Sequence, residues 1–137
     1  MKTIAMIVMM LSCAGCAGVQ RVSDFRGMDT AQIGYAVRQT INYREEPEIK
    51  SPYKIIADRS GDCKHYSILT KAALNQNGRD CTIWAYEMWK EFAHAVCVED
   101  GVGVWDNGYF FRTKESGEKA AREHEVEDIV LIYKAEF

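Results

Sequence analysis

Cys63, His94 and Asp106 combine residue types that together can do covalent chemistry: a thiol, an imidazole and a carboxylate, in that order along the chain. A thiol becomes a useful nucleophile where its proton is easily lost, and the first turn of a helix favours that loss through unpaired N–H groups and the positive end of the dipole. Ser60-Gly61-Asp62 reads as a helix start, and the residues from Cys63 to Leu74 continue the helical pattern to Asn77-Gly78, where glycine can take a left-handed cap. Cys63 therefore falls in the first turn of a helix. Such a nucleophile still needs a base within hydrogen-bond reach.

Strand register supplies that base. Glu99-Asp100-Gly101 can form a three-residue hairpin loop that pairs Val98 with Val102. Counting outward, Val96 faces Val104 and His94 faces Asp106, which places both side chains on one face of a sheet. In such a pair the carboxylate fixes the imidazole tautomer, while the other ring nitrogen takes the thiol proton and later delivers it to a leaving group. N–H groups at the start of the cysteine helix would face the developing oxyanion. Each residue taken singly has a structural alternative: Cys63 as core filler, His94 as a hydrogen-bonded strand histidine, Asp106 as the first residue of an Asp106-Asn107-Gly108 turn. Their joint occurrence in this order favours catalysis.

The elements that must position these residues follow from the pattern of apolar positions. Asp29 and Thr30 offer caps for a helix whose buried face carries Ile33, Ala36, Val37 and Ile41 and which stops near Tyr43 to Glu46, before Pro47. Pro47 and Pro52 bracket a connecting segment. After the cysteine helix come strand-like segments Cys81 to Trp89, Phe92 to Val98, Val102 to Trp105 and Ile129 to Lys134. Helices first and antiparallel strands afterwards mean an α+β fold. The charged stretch Lys114 to Asp128, with His124, reads as solvated surface.

At the N-terminus, Lys2, the apolar run Ile4 to Leu11 and the small residues to Gly18 form an export signal too short to span a bilayer. Ala14-Gly15-Cys16 looks like a lipoprotein cleavage site, with Cys16 as the lipidated residue; Cys13 and simple secretion are the alternatives. Residues 1–16 are thus the signal, 17–28 a short polar leader and 29–137 one domain, periplasmic and anchored to a bacterial membrane through its lipid. A formal net charge of -3, with no Lys/Arg stripe, argues against a nucleic-acid partner. Cys63, Cys81 and Cys97 show no metal-ligand spacing, and the expected register separates Cys81 from Cys97, so no disulfide framework is indicated.

Through Ile41-Asn42-Tyr43, Gly61-Asp62-Cys63, His94-Ala95-Val96 and Asp106-Asn107, the chain resembles the bacterial transglutaminase-like cysteine peptidases from about Ala31 to Phe110. The resemblance implies a papain-like core, with the nucleophile helix packed on a small antiparallel sheet. It also implies cleavage or transfer at an amide bond of a protein or peptide through a thioester. Periplasmic members follow the nucleophile with an acidic pair associated with calcium, whereas here Lys64 and His65 stand there. Neither supplies carboxylate oxygens, so no calcium or other cofactor is expected. Lys64 and His65, and the groove-lining candidates Trp89, Trp105, Asn107 and Tyr109, are the expected binding residues. A papain-like peptidoglycan peptidase, which also opens its helix with Asp-Cys, and a non-catalytic module on the same fold are the competing readings. Oligomeric state is not read from the sequence.

Overall fold

The computed structural model describes residues 18–88, 92–125 and 129–137. The export signal, Cys13, Cys16 and Trp89 lie outside the described residues. Helix α1 spans Thr30–Thr40 and opens with a reciprocal cap: Asp29 accepts from the Gln32 N–H and Gln32 accepts from the Asp29 N–H, both at 2.9 Å. It ends earlier than the sequence suggests because Asn42–Tyr43 (β1) pairs in parallel with Ser60–Gly61 (β2). Between them lies a helix the sequence reading missed, α2 at Pro52–Asp58, with Ser51 accepting from the Lys54 N–H and Pro52 at its first turn. The signal was there: a serine followed by a proline marks a helix start as well as a bend.

Helix α3, Cys63–Asn75, opens on Cys63. Strands β3 (Thr82–Met88), β4 (Phe92–Glu99), β5 (Gly103–Asp106), β6 (Tyr109–Arg112) and β7 (Ile129–Lys134) form one antiparallel sheet in the order β6-β5-β4-β3-β7. One face, with Ile83, Ala85, Ala95, Cys97 and Trp105, packs against α1 and α3 through Ile33, Val37, Leu69 and Leu74. The opposite face carries Tyr86, Val96, Val98 and Val104 and is covered by Ala120 and Ala121 of α4, Gly117–His124. The stretch from Lys114 was read as solvated because its charges dominate its composition; two alanines are enough to seat the helix.

Three further expectations change. The β4–β5 hairpin pairs Glu99 with Gly103, Val98 with Val104 and Cys97 with Trp105, two residues away from the expected register. The loop is Asp100-Gly101-Val102, because Glu99 continues the strand as a buried residue held by Arg79 at 2.8 and 2.9 Å and by Trp105 Nε1 at 3.2 Å. Cys81 and Cys97 are joined in a disulfide, Cα to Cα 5.6 Å. Ile83 lies opposite Cys97, so Cys81 approaches it on the diagonal just before β3 begins, which direct cross-strand counting overlooks. Finally, residues 18–28 belong to the domain: Val19, Val22 and Phe25 are buried around a 3-10 turn at Val22–Phe25, and the Val19 N–H donates to Thr40 Oγ1 at 2.9 Å. Their spacing of three places them on one side of the turn, which the polar composition of the segment hides.

Candidate active site

Helix α3 is fixed at its start by its own third residue. His65 is fully buried; its Nδ1 accepts from the Asp62 N–H at 3.0 Å and its Nε2 donates to the Glu48 carbonyl at 2.8 Å. It therefore ties the segment before α2 to the nucleophile turn and cannot touch a substrate, which corrects its reading as a binding residue. Gly61 is required by the same packing, since a Cβ there would meet His65 Cβ at 2.4 Å. Gly61→Ala is expected to lower the unfolding free energy by about 1–3 kcal/mol, as overpacking of a filled site does; a denaturant titration reads this, and an unchanged midpoint would mean that His65 has room to move.

Cys63 is half-buried at the first residue of α3 and lines the same cleft as His94 of β4, whose imidazole it helps to hold charged. His94 Nε2 donates to Asp106 Oδ1 at 2.8 Å, which leaves Nδ1 as the ring nitrogen available to the thiol. The shift of the hairpin register makes His94 and Asp106 diagonal neighbours instead of direct ones, and they still meet. A slip of two residues preserves the face, whereas a slip of one would have separated them. Asp106 also leads into the Asn107-Gly108 turn, with φ of 47° and 80°, so its turn role and its histidine contact coexist.

Burial opposes charge on His94, but hydrogen bonds to Asp106 and Cys63 outweigh it, and the imidazole is pushed up to about 10. Burial likewise works against the Asp106 carboxylate, yet hydrogen bonds from His124 and His94 hold it well below the usual carboxylate range. His124, read from the sequence as solvated, places Nε2 at 3.0 Å from Asp106 Oδ2. Its signal was its place in the last turn of a helix that charge patterning concealed. Tyr86 stands edge-on to His94, with ring centroids 5.6 Å apart, and burial beside Glu125 pushes its phenol well above the ordinary range.

The site opens into a cleft of about 600 Å³ lined by Cys63, His94, Tyr43, Glu46, Lys64, Ala85, Ala93, Ala95, Tyr133 and others. Of the expected binding residues that are described, Lys64 alone lines it. Trp105 is buried in the core against Phe110, centroids 4.9 Å apart, and is not a groove residue. Tyr109 is exposed on β6 with the Arg38 guanidinium 4.3 Å over its ring, and neither it nor Asn107 lines the cleft. Tyr43 and Tyr133 take the place expected of them. A larger groove of about 700 Å³ beside Arg38, Gly108 and Phe110 is lined, among the described residues, by no cysteine, histidine or carboxylate.

Lys64 is committed to the nucleophile turn. Its Nζ donates to Asp62 Oδ2 at 2.5 Å and to the Glu46 carbonyl, and the Glu46 N–H donates to the same Asp62 oxygen at 3.2 Å. A calcium ion needs six to eight oxygens, several of them anionic. At this turn the Asp62 carboxylate already holds the Lys64 ammonium, a cation beside the oxygen that an ion would need. Among the described residues no helix is long and apolar enough to cross a membrane.

Solved structures of LapG from Legionella pneumophila share this architecture. The calcium-bound form aligns with a TM-score of 0.55 at 16% identity over 83% of this chain and 70% of LapG. A second LapG structure gives 0.54 at 18% identity, and the EGTA-treated form 0.52 at 18%, each over 67% of this chain and 61% of LapG. In those two alignments the chain spans about three fifths of LapG's length. No protein-family model and no curated protein matches the sequence. The chain has the fold of LapG, an α+β core in which helices pack on a five-stranded antiparallel sheet.

Proposed function

We propose that the protein is a cysteine peptidase or amidase that cleaves an amide bond in a protein or peptide through a thioester on Cys63. The observation that carries this reading is an imidazole bonded to a carboxylate and lining the same cleft as a helix-start cysteine. His94 Nδ1 already holds the proton of Cys63 when sulfur bonds to the carbonyl carbon, and the N–H of Cys63, which like other first-turn donors has no partner within the helix, faces the oxyanion. Collapse breaks the C–N bond, and His94 gives its proton to the departing amine. Water then attacks the thioester, its proton passes to His94, and the acid leaves as sulfur returns to the thiolate. An amine in place of water gives transfer by the same steps. The open cleft suits an extended peptide or a surface segment of another protein. Incubating a peptide mixture with the wild type and with Cys63→Ala, with mass spectrometry of the products, tests the proposal; cleavage that survives in the variant would sink it.

The enzyme acts outside the cytoplasm, anchored through Cys16, where an oxidising environment allows the Cys81–Cys97 bridge. It works without calcium, because the Lys64 ammonium supplies the positive charge beside Asp62. The labelling rate of Cys63 by iodoacetamide should change by less than about twofold between EGTA and millimolar calcium, the margin expected of a turn whose Asp62 carboxylate is already held by an ammonium ion. A tenfold rise with calcium would show that this turn binds the ion after all.

A further inference from the structure

The Asp106 carboxylate has two oxygens, and the triad uses one. Oδ1 accepts from His94 at 2.8 Å, while Oδ2 lies 3.0 Å from His124 Nε2. A carboxylate held at one oxygen can swing about its last torsion; held at both, it keeps its plane, and the imidazole it orients keeps its direction. His124 is itself well placed for the task. It is the last residue of α4, its side chain is 12% exposed, and its ring leans on Phe111 of β6 with centroids 4.7 Å apart. Glu125 Oε1 stands 4.0 Å from the same nitrogen. The helix is in turn anchored by Ala120 and Ala121 on the sheet face that carries Val96 and Val104, each two residues from a member of the triad. Helix α4 and the His94–Asp106 pair are therefore one packed unit, and the histidine joins the two by a side-chain contact.

We propose that His124 is a positioning residue of the active site, donating from Nε2 to Asp106 Oδ2 so that Oδ1 stays aimed at His94. The inference rests on the Cys63–His94–Asp106 reading given above. It assigns to His124 a role that helix capping or packing alone would not need, and a substitution can separate the two. Gln keeps an N–H donor at about the reach of Nε2, while Phe keeps the ring against Phe111 and removes the donor.

The experiment measures the second-order rate of Cys63 labelling by iodoacetamide in wild type, His124→Phe, His124→Gln and His94→Ala, with thermal unfolding of each. His124→Phe is expected to slow labelling about 10-fold, as loss of an outer partner that orients a functional ring does, with His124→Gln within about threefold of wild type. Equal rates in Phe and wild type, or equal losses in Phe and Gln, would overturn the proposal. Nitrogen-15 NMR of the histidine rings in the wild type decides independently of any variant's folding: a proton on His124 Nε2 is required, and a bare Nε2 refutes the donation. If His94→Ala labels as fast as wild type, the triad reading itself fails; if His94→Ala is slow and His124→Phe is not, this inference alone falls.

Discussion

Replacing His94 with alanine is expected to slow the alkylation of Cys63 at neutral pH by about two orders of magnitude, the lower part of the range in which a positioned acid or base acts. The imidazole lines the cleft with the thiol while Nε2 is anchored at 2.8 Å on a carboxylate, so a proton from Cys63 has an acceptor whose cation is stabilised before any substrate arrives. Alanine removes the acceptor and leaves Asp106 with His124 as its sole histidine partner. The label is informative because Cys63 is the free cysteine among the described residues. A rate within twofold of wild type would mean that Cys63 and His94 are neighbours without chemical coupling, and the domain would then be better pursued as a binding module.

The same pair gives stability a pH dependence of predictable sign. His94 is raised from 6.5 to about 10 in the folded protein, so its contribution is fully present below about pH 6.5 and is lost as pH rises through 10. Asp106 is lowered from 3.8, so its contribution is present above about pH 3.8 and is lost as pH falls below that. The alkaline loss of stability should flatten in the His94→Ala protein, because the group that holds its proton longer when folded is gone.

How much of this was legible in the sequence depends on what each residue's signal measured. The caps at Asp29 and Asp62, the glycine at position 78 and the alternation of β3 and β4 are local rules, and the elements appear where those rules place them. The His94–Asp106 pair survived a wrong register because a face repeats every second residue. Long-range compensation was not legible. Glu99 reads as a loop residue until Arg79, 20 residues earlier, is brought beside it. His65 and Lys64 read as exposed first-turn residues until the chain at Glu46 to Glu48 folds over them. His124 reads as solvated until Asp106 is known to have a free oxygen. In each case a polar residue is buried by a partner distant in sequence, and composition within a window carries no trace of that partner.

Removing the Cys81–Cys97 bridge, by Ala at both positions, is expected to lower the unfolding free energy by about 3 kcal/mol, the chain-entropy value for a loop with a sequence separation of 16. For a domain of this size that corresponds to a fall of about 10 °C in Tm. Both sulfurs are buried in the core beside Ile83, so each alanine also loses packing, and the measured fall includes that loss. Reductant separates the two contributions. Dithiothreitol should bring the wild type most of the way to the double variant and leave the double variant unchanged. Because the bridge ties β4, which carries His94, to the residues just before β3, its loss should loosen the sheet under the imidazole while leaving Cys63 on its separately capped helix. The labelling rate of Cys63 in the double variant, taken well below its Tm, should therefore fall only a few-fold, far less than in His94→Ala. A fall as large as that of His94→Ala would make the disulfide, and not the hairpin register, the feature that holds the histidine in place.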